Sequence, residues 1–192
     1  EVIEINKKYF GDNTGDNWFI KWREITDEDL KDWKPMISPF VDGQVRTREV
    51  PVYEEESYQE KIISYGLSSY GYDVRLSKDF KIFTNLNSVV IDPLDFNDEA
   101  CLKDHHGDYC IIPPNSYVLG KTVETFNMPD DVTAICVGKS TYARAGVGIN
   151  VTPIESGFQG TVVIEIANYT SLPVKVYAGM GIAQFLFFKG DV

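Results

Sequence analysis

A mainly β fold, an antiparallel sandwich or jelly-roll-like barrel with few short helices, is predicted by three features of the sequence. Short runs of β-branched and aromatic residues recur from residue 62 onward. Gly, Pro, Asn and Asp punctuate them at close spacing, and only two segments of the chain invite a helix. The runs are residues 73–76, 79–84, 88–91, 109–112, 117–125, 132–137, 147–152, 161–167, 173–177 and 182–188. The 192 residues are 43% hydrophobic and 13% aromatic, enough apolar material to fill a core and too much for a disordered chain.

In chain order, residues 1–34 read as an N-terminal extension and residues 35–192 as one β domain. In the extension, Asp12, Asn13, Asp16 and Asn17 with two glycines form a polar loop. Trp18, Phe19, Ile20 and Trp22 then make an apolar patch expected to dock on the body. A short helix is expected over 26–33, with Thr26 as N-cap and Asp27, Glu28 and Asp29 in its first turn. Residues 41–60, rich in Glu and Arg and containing Pro51, read as a polar connection or an edge hairpin. The second helical candidate is a short turn after Gly138, which follows the strand 132–137 and ends at Gly146, a good helix-stop residue.

Lys plus Arg number 18 against 29 Asp plus Glu, for a net charge of −11. That balance speaks against general nucleic-acid or anionic-membrane binding, which rests on accumulated positive charge. An anionic ligand must therefore be captured by a local cluster. No stretch approaches the ~20 apolar residues of a membrane helix. The first residues, EVIEINKKYF, contain neither an apolar core nor a small-residue cleavage site, so no signal peptide is expected; the absent initiator Met reads as a processed or trimmed chain. Cys101, Cys110 and Cys136 are odd in number and lack metal-type spacing, which fits reduced thiols in the cytoplasm.

The chemistry concentrates in two segments. In Gly138-Lys139-Ser140-Thr141-Tyr142-Ala143-Arg144-Ala145-Gly146, a helix of one or two turns sets Ser140 and Arg144 at i and i+4 on one face. Free N–H groups, two hydroxyls and the Lys139 charge make an anion seat; the same spacing also describes an ordinary capped turn with Arg144 in a surface ion pair. In the strand 161–167, alternation sets Val162, Ile164 and Ile166 on one face and Thr161, Val163, Glu165 and Ala167 on the other. If that second face is covered, desolvation raises the Glu165 pKa and suits it to proton transfer; if it is wet, Glu165 is an ordinary surface acid. Asp73 and Arg75, in Tyr70-Gly71-Tyr72-Asp73-Val74-Arg75, suit structural pairs. His105 and His106 are adjacent and so point to opposite faces of a strand. No H-x-E and no C-x-x-C occurs, so no catalytic zinc is expected. Gly138-Lys139-Ser140 lacks the earlier glycine of a P-loop.

Taken together, six segments resemble the dCTP deaminase family of the dUTPase-like superfamily. They are Ser64 to Arg75, Ile112 to Ser116, Gly138 to Arg144, Asn150 to Glu155, Gly160 to Asn168, and Gly181 to Gln184, in order between about residues 36 and 189. The resemblance implies a distorted β-barrel or jelly roll of the dUTPase-like type, assembled as a homotrimer with sites between subunits. It implies hydrolysis of dCTP to dUTP and ammonia without zinc, with Mg2+ accompanying the triphosphate and dTTP as an inhibitor. Glu165 matches the family's proton carrier, and Ser140 and Arg144 the catalytic pair. Lys139, Ser140, Thr141, Tyr142, Ala143 and Arg144 match the triphosphate turn, and Val163, Ile164 and Gln184 positions lining the nucleotide site.

Two departures stand out. The loop Glu155-Ser156-Gly157-Phe158-Gln159-Gly160 differs from the usual one, and Phe158 is placed to stack near the deoxyribose. The resemblance leads one to expect a tail folding over the nucleotide after Phe188, whereas the sequence ends at Val192, which reads either as a chain trimmed to its ordered part or as an enzyme without that lid. The rival readings are a dUTPase or a bifunctional deaminase and dUTPase, with Glu155 or Asp73 activating water at the α-phosphate, and a non-catalytic nucleotide-binding regulatory trimer.

Overall fold

The computed structural model describes residues 34–53, 56–84 and 90–190. The chain divides into two units, Glu1–Pro35 and Met36–Val192, and the fold below is that of the second. The polar loop, aromatic patch and helix expected within residues 1–33 lie outside the described residues.

Strands dominate, as the residue patterns predict. They are β1 (Ile37–Ser38), β2 (Val45–Tyr53), β3 (Glu56–Ser68), β4 (Gly71–Phe83), β5 (Leu102–His106), β6 (Tyr109–Ile112), β7 (Tyr117–Asn127), β8 (Val132–Gly138), β9 (Val147–Asn150), β10 (Gln159–Asn168), β11 (Val174–Tyr177) and β12 (Gly181–Lys189). Among the described residues two single-turn helices, α1 (Asp98–Cys101) and α2 (Ser140–Ala143), interrupt them. The described pairings are all antiparallel. Hydrogen bonding runs from β9 through β10, β7 and β4 to β12 and β8. The wall then comes back on itself: Ala134 of β8 bridges to Ile154 just beyond β9, and Gly138 abuts the Ile149 side chain. A distorted barrel results, with the β2–β3 hairpin leaving from β4 and a separate β6–β11 ribbon.

Alternation explains which side of this wall is dry. Along β7, Val118, Gly120, Thr122, Glu124 and Phe126 are buried while their neighbours are not. Along β10, Val162, Ile164, Ile166 and Asn168 turn inward. Tyr72, Leu76, Phe126, Ile164, Ile166, Ile182 and Phe185 are all at most 1% exposed, with the Phe126 and Phe185 rings 5.1 Å apart. Burying one such side chain is worth about 1.5–3 kcal/mol, so the inward faces of β4, β7, β10 and β12 supply much of the core's stabilisation.

Asn168 fixes the end of β10. Its amide donates to the carbonyls of Ile112, Pro113 and Leu172 at 3.2, 3.0 and 2.8 Å. Its Oδ1 accepts from the Thr170 N–H and hydroxyl, both at 2.9 Å. One buried side chain thus satisfies the backbone of two loops.

Several boundaries differ from expectation. The runs 73–76 and 79–84 are one strand, β4, which continues through a register irregularity between Leu76 and Phe80. Residues 41–60 contain an edge hairpin, and its exposed strands explain the missing apolar alternation. Of the expected strand 88–91, Val90 and Ile91 are described; they are 75% and 49% exposed, outside any strand, with Pro93 ahead. The strand expected over 147–152 ends at Asn150, three residues before Pro153, which has no N–H to give a ladder. Both β5 and α1 were unforeseen. The first reads Lys103-Asp104-His105-His106 on a largely exposed edge; the second is capped by Asn97, whose Oδ1 accepts from the Ala100 N–H at 3.1 Å.

Candidate active site

The turn after β8 is helical for local reasons. Lys139 is extended at the N-cap (φ −75°, ψ 140°), and its carbonyl accepts from the N–H groups of Tyr142 and Ala143 at 3.0 and 3.1 Å. Arg144 donates its N–H back to the Ser140 carbonyl at 3.1 Å, and Gly146 stops the turn at φ +73°, a conformation that favours glycine. Tyr142 points inward, 3% exposed, and burial pushes its hydroxyl pKa up to about 12. It is therefore an anchor, and any role in binding falls to its backbone. Ser140, Thr141, Ala143 and Arg144 face outward. Among the described residues the N–H groups of Ser140 and Thr141 have no acceptor and Arg144 has no ion-pair partner, so the surface-pair reading of Arg144 finds no acid here.

Lys139 bends back to the barrel wall. Its ammonium pairs with Asp73 Oδ2, and its side chain is only 13% exposed. Asp73 Oδ1 also accepts from Gln184 Nε2 at 3.2 Å, and Gln184 donates to Ser68 Oγ at 2.8 Å. Two of the expected nucleotide residues, Lys139 and Gln184, thus meet on one carboxylate. The sequence shows Asp73 only as a structural pair of unknown partner, because Lys139 lies 66 residues away.

Glu165 lies on the outward face of β10, between Val163, which is 51% exposed, and Ala167. Ile164 points into the core at 0% exposure, so only its backbone can line a site. Glu165 is half-buried, and this desolvation, the largest cause, raises its pKa above the usual carboxylate range. Its neighbours are Asn150 on paired β9, with Nδ2 3.5 Å from Oε2, and Cys136 on β8. Burial first, then the Glu165 charge, pushes the Cys136 thiol pKa up to about 12, which keeps it protonated. Neither neighbour is signalled by spacing in the sequence. Phe158, expected near a sugar, packs partly buried against the core.

Within one protomer, no hydrogen bond or ion pair among the described residues joins Glu165 to Lys139, Ser140 or Arg144. Glu165, an acid with elevated pKa, and the cationic turn with its unspent donors are thus two candidate half-sites without a direct polar contact among the described residues. The two histidines serve elsewhere, His105 Nε2 against the Tyr109 carbonyl at 2.9 Å and His106 Nδ1 against Asp79 at 2.7 Å. No helix among the described residues is long and apolar enough to cross a membrane.

Comparison with known proteins bears on these half-sites. A family model described as dCTP deaminase-like matches residues 25–190. The chain is 54% identical over 176 residues to a dCTP deaminase of Orientia tsutsugamushi (strain Boryong), covering 92% of this chain and 84% of that one. It is 56% identical over 156 residues to the dCTP deaminase of Rickettsia bellii (strain OSU 85-389), covering 81% of this chain and 78% of that one. Among solved structures, the 2'-deoxycytidine 5'-triphosphate deaminase from Agrobacterium tumefaciens is similar in fold, with a TM-score of 0.52 at 20% identity over 65% of this chain and 39% of that chain. Mainly β architecture, the ordered motifs and these matches agree: the chain belongs to the dCTP deaminase-like family.

Proposed function

We propose that the protein hydrolyses dCTP to dUTP and ammonia, with Glu165 as the proton carrier and Lys139–Arg144 as the triphosphate seat. The observation that carries this reading is Glu165 itself: a half-buried carboxylate of raised pKa on a central strand, in a chain 54% identical to a dCTP deaminase. Water attacks C4 of the cytosine; the carboxylate takes one proton from that water and delivers it to N3, then moves the remaining hydroxyl proton to the exocyclic amine, which leaves as ammonia while C4 becomes a carbonyl. Ser140 and backbone donors orient the water and stabilise developing charge. The motifs of a zinc deaminase are missing from the sequence, so the base at Glu165 does the work a metal-bound hydroxide would do.

Because the half-sites are not joined inside a protomer, the reading includes their completion between copies of the chain, as a homotrimer. Ile135, Val137, Val163 and Phe188, each 46–51% exposed on the outer wall, suit burial in such an assembly. A Mg2+ ion would be carried by the triphosphate oxygens and water, neutralising phosphate charge; Asp73 is already committed to Lys139, Gln44 and Gln184. The free thiols of Cys101, Cys110 and Cys136 suit the cytoplasm. Inhibition by dTTP would use the same seat.

An ammonia-release assay across dCTP, dCMP, CTP and dUTP, with phosphate products followed in parallel, tests the proposal. Ammonia from dCTP without pyrophosphate is expected. Pyrophosphate release from dCTP or dUTP would favour the bifunctional or dUTPase reading, and binding without ammonia the regulatory one. Arg144→Ala should lower kcat/KM for dCTP by about one to two orders of magnitude, the worth of a charge-assisted hydrogen bond of about 1.5–3 kcal/mol. Its Tm should hold, since Arg144 is exposed and supports nothing among the described residues. Unchanged kinetics would make Arg144 an ordinary surface side chain.

A further inference from the structure

Asp73 faces the outer side of the barrel wall yet is 1% exposed. Register explains the first fact. Asp73 pairs with Gln184 across β4–β12, and Gln184 with Val137 across β12–β8, so all three side chains rise from the same face; Lys139 lies two residues past Val137 and reaches back. The covering loop explains the second. Residues 41–44 cross over β3 at Gly66, held by the Leu67 N–H donating to the Val41 carbonyl at 3.1 Å. Gly66 has φ +94°, and a Cβ there would collide with the Gly43 carbonyl. The crossing delivers Gln44, whose Nε2 donates to Asp73 Oδ2 at 3.1 Å. On the solvent side Gln44 Oε1 accepts from Arg46 Nε and a terminal guanidinium nitrogen at 3.1 and 2.6 Å. Three donors from three separate segments thus converge on one buried carboxylate.

We propose that Asp73 is a positioning residue for the nucleotide site, holding Lys139 and Gln184 in one arrangement; the proposal rests on the deaminase reading above. An ammonium has three hydrogens. Asp73 takes one, fixes the direction of the other two, and removes the rotamer freedom that a loose lysine would lose on binding. It does so at the mouth of a seat meant for a polyanion, in a chain of net charge −11. Here the two physical roles have opposite signs. If Asp73 acted only through its charge, removing that charge would tighten triphosphate binding. If it positions, removing it loosens binding although the site becomes more positive.

The test is Asp73→Asn, alone and combined with Lys139→Met, in the full chain. The KM and calorimetric Kd for dCTP are measured with Tm and folded fraction as controls. Asp73→Asn should raise both constants about tenfold or more, while in the Lys139→Met background the same change should cost less than about threefold. Binding of dCTP at or above wild-type affinity, or losses that simply multiply in the double variant, would overturn the proposal; a merely structural defect gives the second result. If Asp73→Asn does not fold, Gln44→Met at the exposed rim decides. It removes one donor to Asp73 and should raise KM and Kd about three- to fivefold at unchanged Tm, and unchanged constants would overturn the proposal. Wild-type protein that binds dCTP and releases no ammonia defeats the deaminase reading, while the calorimetric comparison still tests Asp73.

Discussion

Replacing Glu165 by glutamine should reduce ammonia release from dCTP by on the order of a thousandfold, with dCTP affinity kept within a few-fold. The amide has the carboxylate's shape and keeps its place beside Asn150, so the pocket is preserved while the proton acceptor is lost. In the wild type, desolvation favours the neutral acid, so the folded protein holds this proton to a higher pH than a free glutamate does. A general base must be ionised, so kcat/KM should rise with pH through that elevated pKa and fall away on the acid side of it, above the usual carboxylate range. The same shift has a consequence for stability. A folded state that disfavours the charged form is stabilised below the unfolded carboxyl's pKa and loses that contribution as pH rises through the folded value. Glu165→Gln should therefore raise Tm near neutrality, and the gain should vanish in acid, where the wild-type carboxyl is itself neutral. Substantial residual ammonia production, or a lowered Tm at neutral pH, would remove Glu165 from its role. Steady-state kinetics from pH 4 to 9 with parallel thermal melts supplies all of these readings.

How much of this was legible in the sequence follows from which interactions are local. The period-two pattern of 161–167 places Glu165 opposite Val162, Ile164 and Ile166, and β10 keeps that arrangement. The turn after Gly138 was equally visible, since its stop at Gly146 and its N-terminal hydroxyl residues are adjacent in sequence. The reading fails where strands are polar or where pairing is distant. Leu102 to His106 form β5 on an edge that is largely wet, so no apolar alternation marks them. Ser77 and Lys78 split β4 into two apparent runs because the ladder to β7 is irregular between Leu76 and Phe80, where Lys78 and Asp79 are exposed, although Leu76 and Phe80 keep the same inward face. The Asp73–Lys139 pair depends on the register of β4, β12 and β8, which no short-range pattern encodes. Glu124 is the sharpest case. Alternation along 117–125 sets it inward with Val118, Gly120 and Thr122, an acid where the pattern asks for an apolar residue, and its partner is 49 positions away.

That partner is Arg75, and breaking the pair should give a large loss of stability. Glu124 is 0% exposed; its Oε1 accepts from Arg75 Nε at 2.7 Å and its Oε2 from the Arg75 backbone N–H at 2.9 Å. Arg75, 17% exposed, lies over the Tyr65 ring at 4.8 Å, and one of its terminal nitrogens is already buried without an acceptor. The carboxylate thus answers a buried guanidinium and a backbone donor next to the register irregularity between Gly181 and Ala183 on β12. Glu124→Ala strands both and should cost about 3–5 kcal/mol, the range for removing one partner of a buried ion pair. Such pairs are costly to half-remove and cheap to replace, so Arg75→Met combined with Glu124→Leu should recover much of that loss. Recovery should stop short of wild type by about 1–3 kcal/mol, because the Arg75 N–H still lacks its acceptor and no side chain at position 75 can supply one. Urea unfolding at matched protomer concentration separates the two terms. A Glu124→Ala loss below about 1 kcal/mol would mean that water reaches the pair and that the wall is open at β4 and β7. Full recovery in the double variant would mean that the backbone donor finds another acceptor, and that Glu124 serves the guanidinium alone.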